Sequence, residues 1–279
     1  MSGASVPKVW LVGAGPGDPE LLTLKAVRVI AQAELILVDD LVNPQVLEHA
    51  PKDVRVTWVG KRGGCQSTPQ AFIERLMVRE ALAGVRVVRL KGGDPMIFGR
   101  ANEEIQALRR ADIEVEVVNG ITSALAASAA LGVSLTDREH SHGVVWVTGH
   151  PRDENCAADW VALARSGLSL VVYMGLARAA SMATGLLQGG LPPDYPVAVV
   201  QSVSLPQQKT LHTSLAGLAV DLAQSGIASP AILLIGPMAA RQTLRVELTQ
   251  PTPPAAEPVL SLTEPVLAMT EAVLLRRNR

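Results

Sequence analysis

Apolar positions along the chain follow two periods in turn. Short, mostly β-branched runs at 9–13, 35–38, 54–59, 85–90 and 114–118 read as strands. Between them, apolar residues recur every three or four positions at 20–33, 69–83, 100–111 and 122–131, the spacing of helices with one buried face. Parallel neighbours need a crossover, usually a helix. The alternation therefore implies a mainly parallel sheet covered on both faces. The pattern breaks into a polar stretch with two histidines around 132–143 and then resumes. Strands are expected at 144–148, 168–174, 197–200 and 231–235, a short segment at 210–213, and helices at 158–165, 179–187 and 215–224. The domain reading is 6–132, a junction at 133–143, a second unit at 144–245, and a proline- and alanine-rich tail at 246–279. Within the tail, 266–275 could form a short amphipathic helix.

Composition removes several function classes. Twenty-five basic and 26 acidic residues leave a net charge of −1, and only eight residues are aromatic, so neither a basic field nor a stacking platform for nucleic acid is expected. Cys65 and Cys156 stand far apart, outside any Cys-x-x-Cys spacing, so neither a disulfide framework nor a thiolate zinc site is expected and a reducing cytoplasm fits. No apolar run reaches the ~18–20 residues that span a bilayer, and no signal pattern opens the chain. His140, His142 and His150 lack carboxylate or thiolate partners at ligand spacing, so no metal is expected.

Two glycine-rich strand ends carry the candidate chemistry. Arg89-Leu-Lys-Gly-Gly-Asp-Pro-Met-Ile-Phe-Gly-Arg100 ends a β-branched run in Gly92, Gly93, Asp94 and Pro95. Glycine lets a ligand approach backbone where a Cβ would clash, Asp94 can accept hydrogen bonds, and Pro95 stops the strand. Val9-Trp-Leu-Val-Gly-Ala-Gly-Pro-Gly-Asp18 repeats the design, with Asp18 as a candidate N-cap and Pro19 suited to the first helical position. Such strand ends line pockets at the carboxyl edge of open α/β sheets. Gly13-x-Gly15-x-Gly17 also looks like a dinucleotide fingerprint. However, Asp18 occupies the place where close helix packing wants glycine or alanine, and Pro16 stiffens the loop.

Together these segments resemble the tetrapyrrole methyltransferases that use S-adenosylmethionine. The resemblance rests on Val12 to Lys25, Val38-Asp-Asp-Leu-Val42, Gly60-Lys-Arg-Gly-Gly64, Arg89 to Arg100, and Gly120-Ile-Thr-Ser-Ala124 leading to Leu135-Thr-Asp-Arg138. Weaker echoes follow at Val147-Thr-Gly-His150, Val172-Tyr-Met-Gly175 and 229–236.

The resemblance implies an α/β fold of two unequal α/β domains with mainly parallel sheets and the active site in the cleft between them. It implies a cytoplasmic, homodimeric enzyme that methylates uroporphyrinogen III at C-2 and C-7 to precorrin-2, for sirohaem or cobalamin routes. The alternatives are methylation of another precorrin-type tetrapyrrole, or a non-catalytic S-adenosylmethionine-binding protein. The cofactor site implied is Pro16, Gly92, Gly93, Asp94, Ile97, Thr122, Ser123 and Met174, with Val203 and Ala231. Ile97 and Met174 suit apolar walls, although Met174 read by itself is ordinary strand-end core. Thr122 and Ser123 open a helix whose N–H groups can receive a carboxylate. Asp39 and Lys61 match the proton acceptor and donor. Arg100 competes for the base role, but its high pKa favours binding carboxylate instead. For an acceptor carrying eight carboxylates, the anion-binding candidates are Arg62, Arg100 and Arg138, with Lys61 and Lys91 nearby and Glu103 placed to orient Arg100. Departures from the family pattern cluster on the substrate side: Asp40 for arginine, Ala101-Asn102 for Gly-Gly, Asn119 for proline, Ser134 for proline, Asp137 for histidine, and no histidine after Lys61-Arg62.

Overall fold

The computed structural model describes residues 7–60, 68–151, 153 and 156–240. The tail at 246–279, Lys61, Arg62 and Cys65 lie outside them.

The first sheet holds β1 (Lys8–Gly13), β2 (Leu35–Val38), β3 (Arg55–Trp58), β4 (Val87–Lys91) and β5 (Glu114–Val118), in the order β3-β2-β4-β1-β5 with every pair parallel. Its strands alternate between two cores. Val9, Leu11, Leu35, Leu37 and Val87 pack under α2 (Gln70–Leu82) and α3 (Ala101–Arg110). Val12, Ile36, Val38, Val88 and Leu90 pack on the other face with α1 (Leu24–Ile30). Burial on both faces explains the largely apolar runs of β1 and β2, while β3 at the edge is mostly exposed.

The expected helix at 20–33 is two pieces. Asp18 accepts from Glu20 N (2.9 Å) and caps a 3₁₀ turn, Pro19–Leu21. Thr23 then accepts from Ala26 N (3.1 Å) and starts α1 afresh. A second cap within the apolar pattern restarted the helix.

The second sheet departs from the expected parallel arrangement. It runs β6 (Val144–Thr148), β7 (Ser169–Tyr173), β10 (Ala231–Ile235), β8 (Pro196–Gln201), β9 (Lys209–Ser214). Only β6 and β7 pair in parallel; β7–β10, β10–β8 and β8–β9 are antiparallel. Burial pattern alone does not distinguish strand direction, and the short link from β8 to β9 permits a hairpin that no crossover helix interrupts.

One face of this sheet packs against α5 (Trp160–Ala164), α6 (Ala179–Gln188) and α7 (Leu218–Ser225). Its other face packs against α4 (Ser123–Leu131), the helix that follows β5. Ala124, Ala127 and Leu131 join Val171, Ala198, Val200 and Leu234 in one core, with Val133 and Leu135 from the polar stretch also buried there. α4 thus leaves the first sheet and covers the second.

Candidate active site at the carboxyl edge of the first sheet

Strand order decides which loops meet. Because β1 lies between β4 and β5, the loops leaving Gly13, Lys91 and Val118 emerge side by side. The two glycine turns are bonded directly to each other. Gly93 N donates to Gly15 O (2.7 Å), Gly15 N to Gly93 O (3.2 Å), and Ala14 N to Lys91 O (2.8 Å). A Cβ on Gly13 would lie 2.5 Å from Gly120 N and 2.7 Å from Gly93 O, and one on Gly120 would run into Gly93 O. These glycines therefore let three backbones touch, a different reason from the ligand access expected of the sequence. Gly15 and Gly93 also sit at φ +73° and +65°, where a side chain is strained. Gly92 abuts Leu41.

Asp94 is buried and turned inward. Its Oδ1 accepts from Met96 N (2.8 Å), and its Oδ2 from Gly120 N and Asn119 Nδ2 (both 3.1 Å). The expected ligand acceptor thus ties the loop after β4 to the loop after β5. Asn119, one of the departures from the family pattern, supplies one of the three bonds.

Residues of the second sheet reach this edge. The Tyr173 hydroxyl, at the end of β7, hydrogen-bonds Thr122 Oγ1 (2.6 Å) and accepts from Ala124 N (3.3 Å). Burial pushes its phenol above the usual range. Phe98 packs on the Tyr173 ring with centroids 4.9 Å apart. The hydroxyl of Thr122, expected to open α4 toward a ligand, is thus directed at Tyr173, while Ser123 is half-buried at the first position of α4. Met174 is half exposed at φ +54°, which excludes the ordinary core reading. Ile97 packs on the core that holds Tyr173 and the buried Val203. Ala231 is half-buried at the start of β10 opposite Gln201, and Pro16 is half-buried in the first glycine turn. Next to Pro16, a Cβ on Gly17 would lie 2.6 Å from Leu205 Cγ, and Asp18 N donates to Ser204 Oγ (3.0 Å).

Among the described residues, six that are not glycine adopt positive φ. Five of them, Phe98, Arg100, Met174, Ser202 and Ser204, lie in the segments that border this edge. Each costs on the order of 1–3 kcal/mol, and such residues gather where function over-determines the backbone.

Charge enters from β2 and β4. β4 is fully buried yet carries Arg89 and Lys91, two positions apart and so on one face. Both meet Glu104 of α3, which has no exposure: Arg89 Nε at 3.0 Å and Lys91 Nζ at 3.1 Å. Arg89 Nη2 also bonds Asp39 Oδ1, and Lys91 Nζ lies 3.8 Å from Asp39 Oδ2. Asp39 alone of the four reaches solvent, its side chain 32% exposed.

Burial works to lower the pKa of Arg89, but Asp39 and Glu104 outweigh it and the guanidinium holds its proton more firmly than usual. Burial and the adjacent Arg89 lower that of Lys91. Lys91, offered by the sequence as a partner for substrate carboxylates, is therefore spent on Glu104. The sequence reading gave neither Arg89 nor Glu104 a role. The available signals were two cations in an apolar strand, and a glutamate in register with Ala101, Ile105 and Leu108 on the buried stripe of α3.

Arg100, exposed at φ +56°, donates a forked pair of bonds to Glu103 (2.9 and 2.6 Å), as the spacing suggested. That hydrogen bonding raises the Arg100 pKa, which weakens the base role further. Arg138 is exposed on a separate turn, where Asp137 accepts from Glu139 N and His140 N. A cavity of about 450 Å³ is lined by Leu125, Leu135, Val144 and Trp146 among others, and by none of the glycine loops.

Residues 8–219 match the tetrapyrrole (corrin/porphyrin) methylases. The chain belongs to this family. It is 56% identical to a uroporphyrinogen-III C-methyltransferase of Pseudomonas aeruginosa, over 82% of this chain and 93% of that one. It is 41% identical to the sirohaem synthase of Gluconacetobacter diazotrophicus, spanning 52% of that longer protein. Among solved structures it is similar to the uroporphyrin-III C-methyltransferase of Thermus thermophilus complexed with S-adenosylhomocysteine. That likeness has a TM-score of 0.70 at 41% identity and covers 82% of this chain and 92% of that one. In this tetrapyrrole methylase, then, the two-sheet architecture expected of the family is present, with the second sheet mixed.

Proposed function

We propose that the chain transfers methyl groups from S-adenosylmethionine to C-2 and C-7 of uroporphyrinogen III, giving precorrin-2. One observation carries the reading: the paired turns Gly13–Gly17 and Gly92–Asp94, locked together at the sheet edge, face apolar and strained side chains from the second sheet. A small molecule at this edge would meet bare backbone on one side and Ile97, Met174 and Val203 on the other. This fits a ligand with an adenine ring and a thioether, and the identity to curated methyltransferases supports the assignment. When bound, the cofactor supplies an electrophilic methyl on a sulfonium.

The chain's own residues do the rest. Pro16, Gly92, Gly93, Asp94, Ile97, Thr122, Ser123, Met174, Val203 and Ala231 would shape the cofactor side, Asp94 also tying the loops together. Holding two reactants in line can supply several kcal/mol of a barrier. The methylated carbon already carries a side chain and becomes quaternary, so the proton that neutralises its ring leaves from elsewhere on the macrocycle, and Asp39, the solvent-facing carboxylate, accepts it. Lys61 is its proposed counterpart as donor, and Arg62, Arg100 with Glu103, and Arg138 are proposed contacts for substrate carboxylates. The unit boundaries at 132 and 144, a cytoplasmic location and a homodimer belong to the same reading, on the strength of the family resemblance.

Anaerobic incubation of the purified protein with uroporphyrinogen III and S-adenosylmethionine should give products heavier by one and then two methyl groups. No mass gain on uroporphyrinogen III, with methylation of another precorrin supplied in competition, would move the assignment to that acceptor. Cofactor binding without methylation of any acceptor would leave a binding protein.

A further inference from the structure

Four charged groups run from the interior to the candidate site: Lys91, Glu104, Arg89, Asp39. Arg89 is enclosed by acceptors. Besides Glu104 and Asp39, its Nη1 donates to Leu37 O (3.3 Å) and Leu90 O (3.2 Å). Its fork therefore has one orientation. Glu104 is held in turn by Lys91 and by Gln70 Nε2 (3.4 Å). Stability alone does not account for this arrangement. A buried ion network is often no more stabilising than apolar residues of equal volume, because desolvation offsets the attraction. What an apolar replacement would lose is the hold on Asp39, the one member that reaches solvent, whose Oδ1 takes the guanidinium and whose Oδ2 lies 3.8 Å from Lys91 Nζ.

We propose that Arg89 and Glu104 are positioning residues for the methyl-transfer reaction. Glu104 fixes the Arg89 fork, and the fork fixes the Asp39 carboxylate so that Oδ2 faces the substrate carbon that loses its proton. The inference rests on the reading of Asp39 as proton acceptor and deepens it. The substrate's C–CH3 bond forms as the S–CH3 bond breaks, which leaves the ring cationic; then a C–H bond of a bridging carbon breaks, its electrons neutralise the ring, and the proton leaves on Oδ2.

The test measures kcat and KM for four variants of the full chain under anaerobic turnover. Asp39→Asn should lower kcat at least 100-fold. Arg89→Lys keeps the charge and loses the fork; it should lower kcat about 10-fold or more while either KM changes less than 3-fold. Added to Asp39→Asn, Arg89→Lys should lower kcat no further, because its effect passes through Asp39. The triple variant Arg89→Met, Lys91→Met, Glu104→Leu removes the buried charges together. It should keep its thermal midpoint within a few degrees and lose kcat as Arg89→Lys does.

Wild-type kcat in the stable triple variant, or a loss in Arg89→Lys confined to KM, would overturn the positioning role while leaving Asp39 in place. Wild-type kcat in Asp39→Asn would overturn the acceptor reading itself, and this inference with it.

Discussion

The first sheet meets the candidate site with loops that have lost their side chains; the second meets it with side chains kept where a glycine would sit more easily. Gly13, Gly93 and Gly120 allow three backbones to touch. Met174, Ser202 and Ser204 hold positive φ without being glycine. The first arrangement maximises rigidity. The second accepts backbone strain to keep a half-exposed thioether and two serines, of which Ser204 accepts from Asp18 N. The difference teaches that glycines and strained residues do separate jobs here: the glycines let the loops of the first sheet lock together, and the strained residues, Phe98 and Arg100 of its own loop among them, hold side chains where the backbone resists.

The sharpest way to break that comparison is Gly120→Ala. Its Cβ meets the Gly93 carbonyl, which is backbone and already committed to Gly15. Overpacking costs about 1–3 kcal/mol and, where the obstacle is backbone, occasionally more. Thermal unfolding should show a drop of several degrees and activity should fall with it; an unchanged midpoint would mean the loops are looser than described.

Met174→Gly should do the opposite. Relief of about 1–2 kcal/mol of left-handed backbone strain is offset by the roughly 0.5–1 kcal/mol entropy cost of glycine. Stability then moves by less than about 1 kcal/mol, since half the side chain is exposed. If the thioether is a wall of the cofactor site, calorimetry should show S-adenosylhomocysteine binding weakened about tenfold. A stability loss without an affinity loss would return Met174 to the core.

The smallest effect sharpens the comparison within the first sheet. Glu116 of β5 is paired with Lys25 (2.5 Å) and Lys8 (2.8 Å), and these bonds lower its pKa to about 2. A depressed carboxylate pKa stabilises the fold above its unfolded value, 4.5, and that stabilisation is lost as pH falls from 4.5 toward about 2. With Lys25 half exposed, the net effect is on the order of 1 kcal/mol. Denaturant titrations at pH 7 and pH 3 should show Glu116→Gln less stable than the parent at pH 7, with the gap narrowing at pH 3.

The parts legible in the sequence were those where one residue pattern has one structural solution. β2, β5, β6 and β10 lie at the expected residues, because short runs rich in Val, Ile and Leu bounded by turn residues admit little else. Asp18 and Pro19 start their turn as expected, and Arg100 pairs with Glu103. Less legible were features that depend on partners distant in sequence. The antiparallel second sheet looks the same as a parallel one along any single strand. The roles of Arg89 and Glu104 appear only once β4 lies under α3. The bonds from Asn119 and Gly120 to Asp94 exist only once those residues are brought to it across β1.

The path of α4 has a consequence for how such a chain can be divided. The helix hangs from the end of one sheet and roofs the other, so no cut near the middle yields two finished pieces. A piece carrying the helix would keep an oily underside with nothing beneath it, and a piece lacking it would leave half a sheet bare to water. Recombination between relatives should therefore succeed only when the crossover keeps this beam and the sheet under it from the same parent.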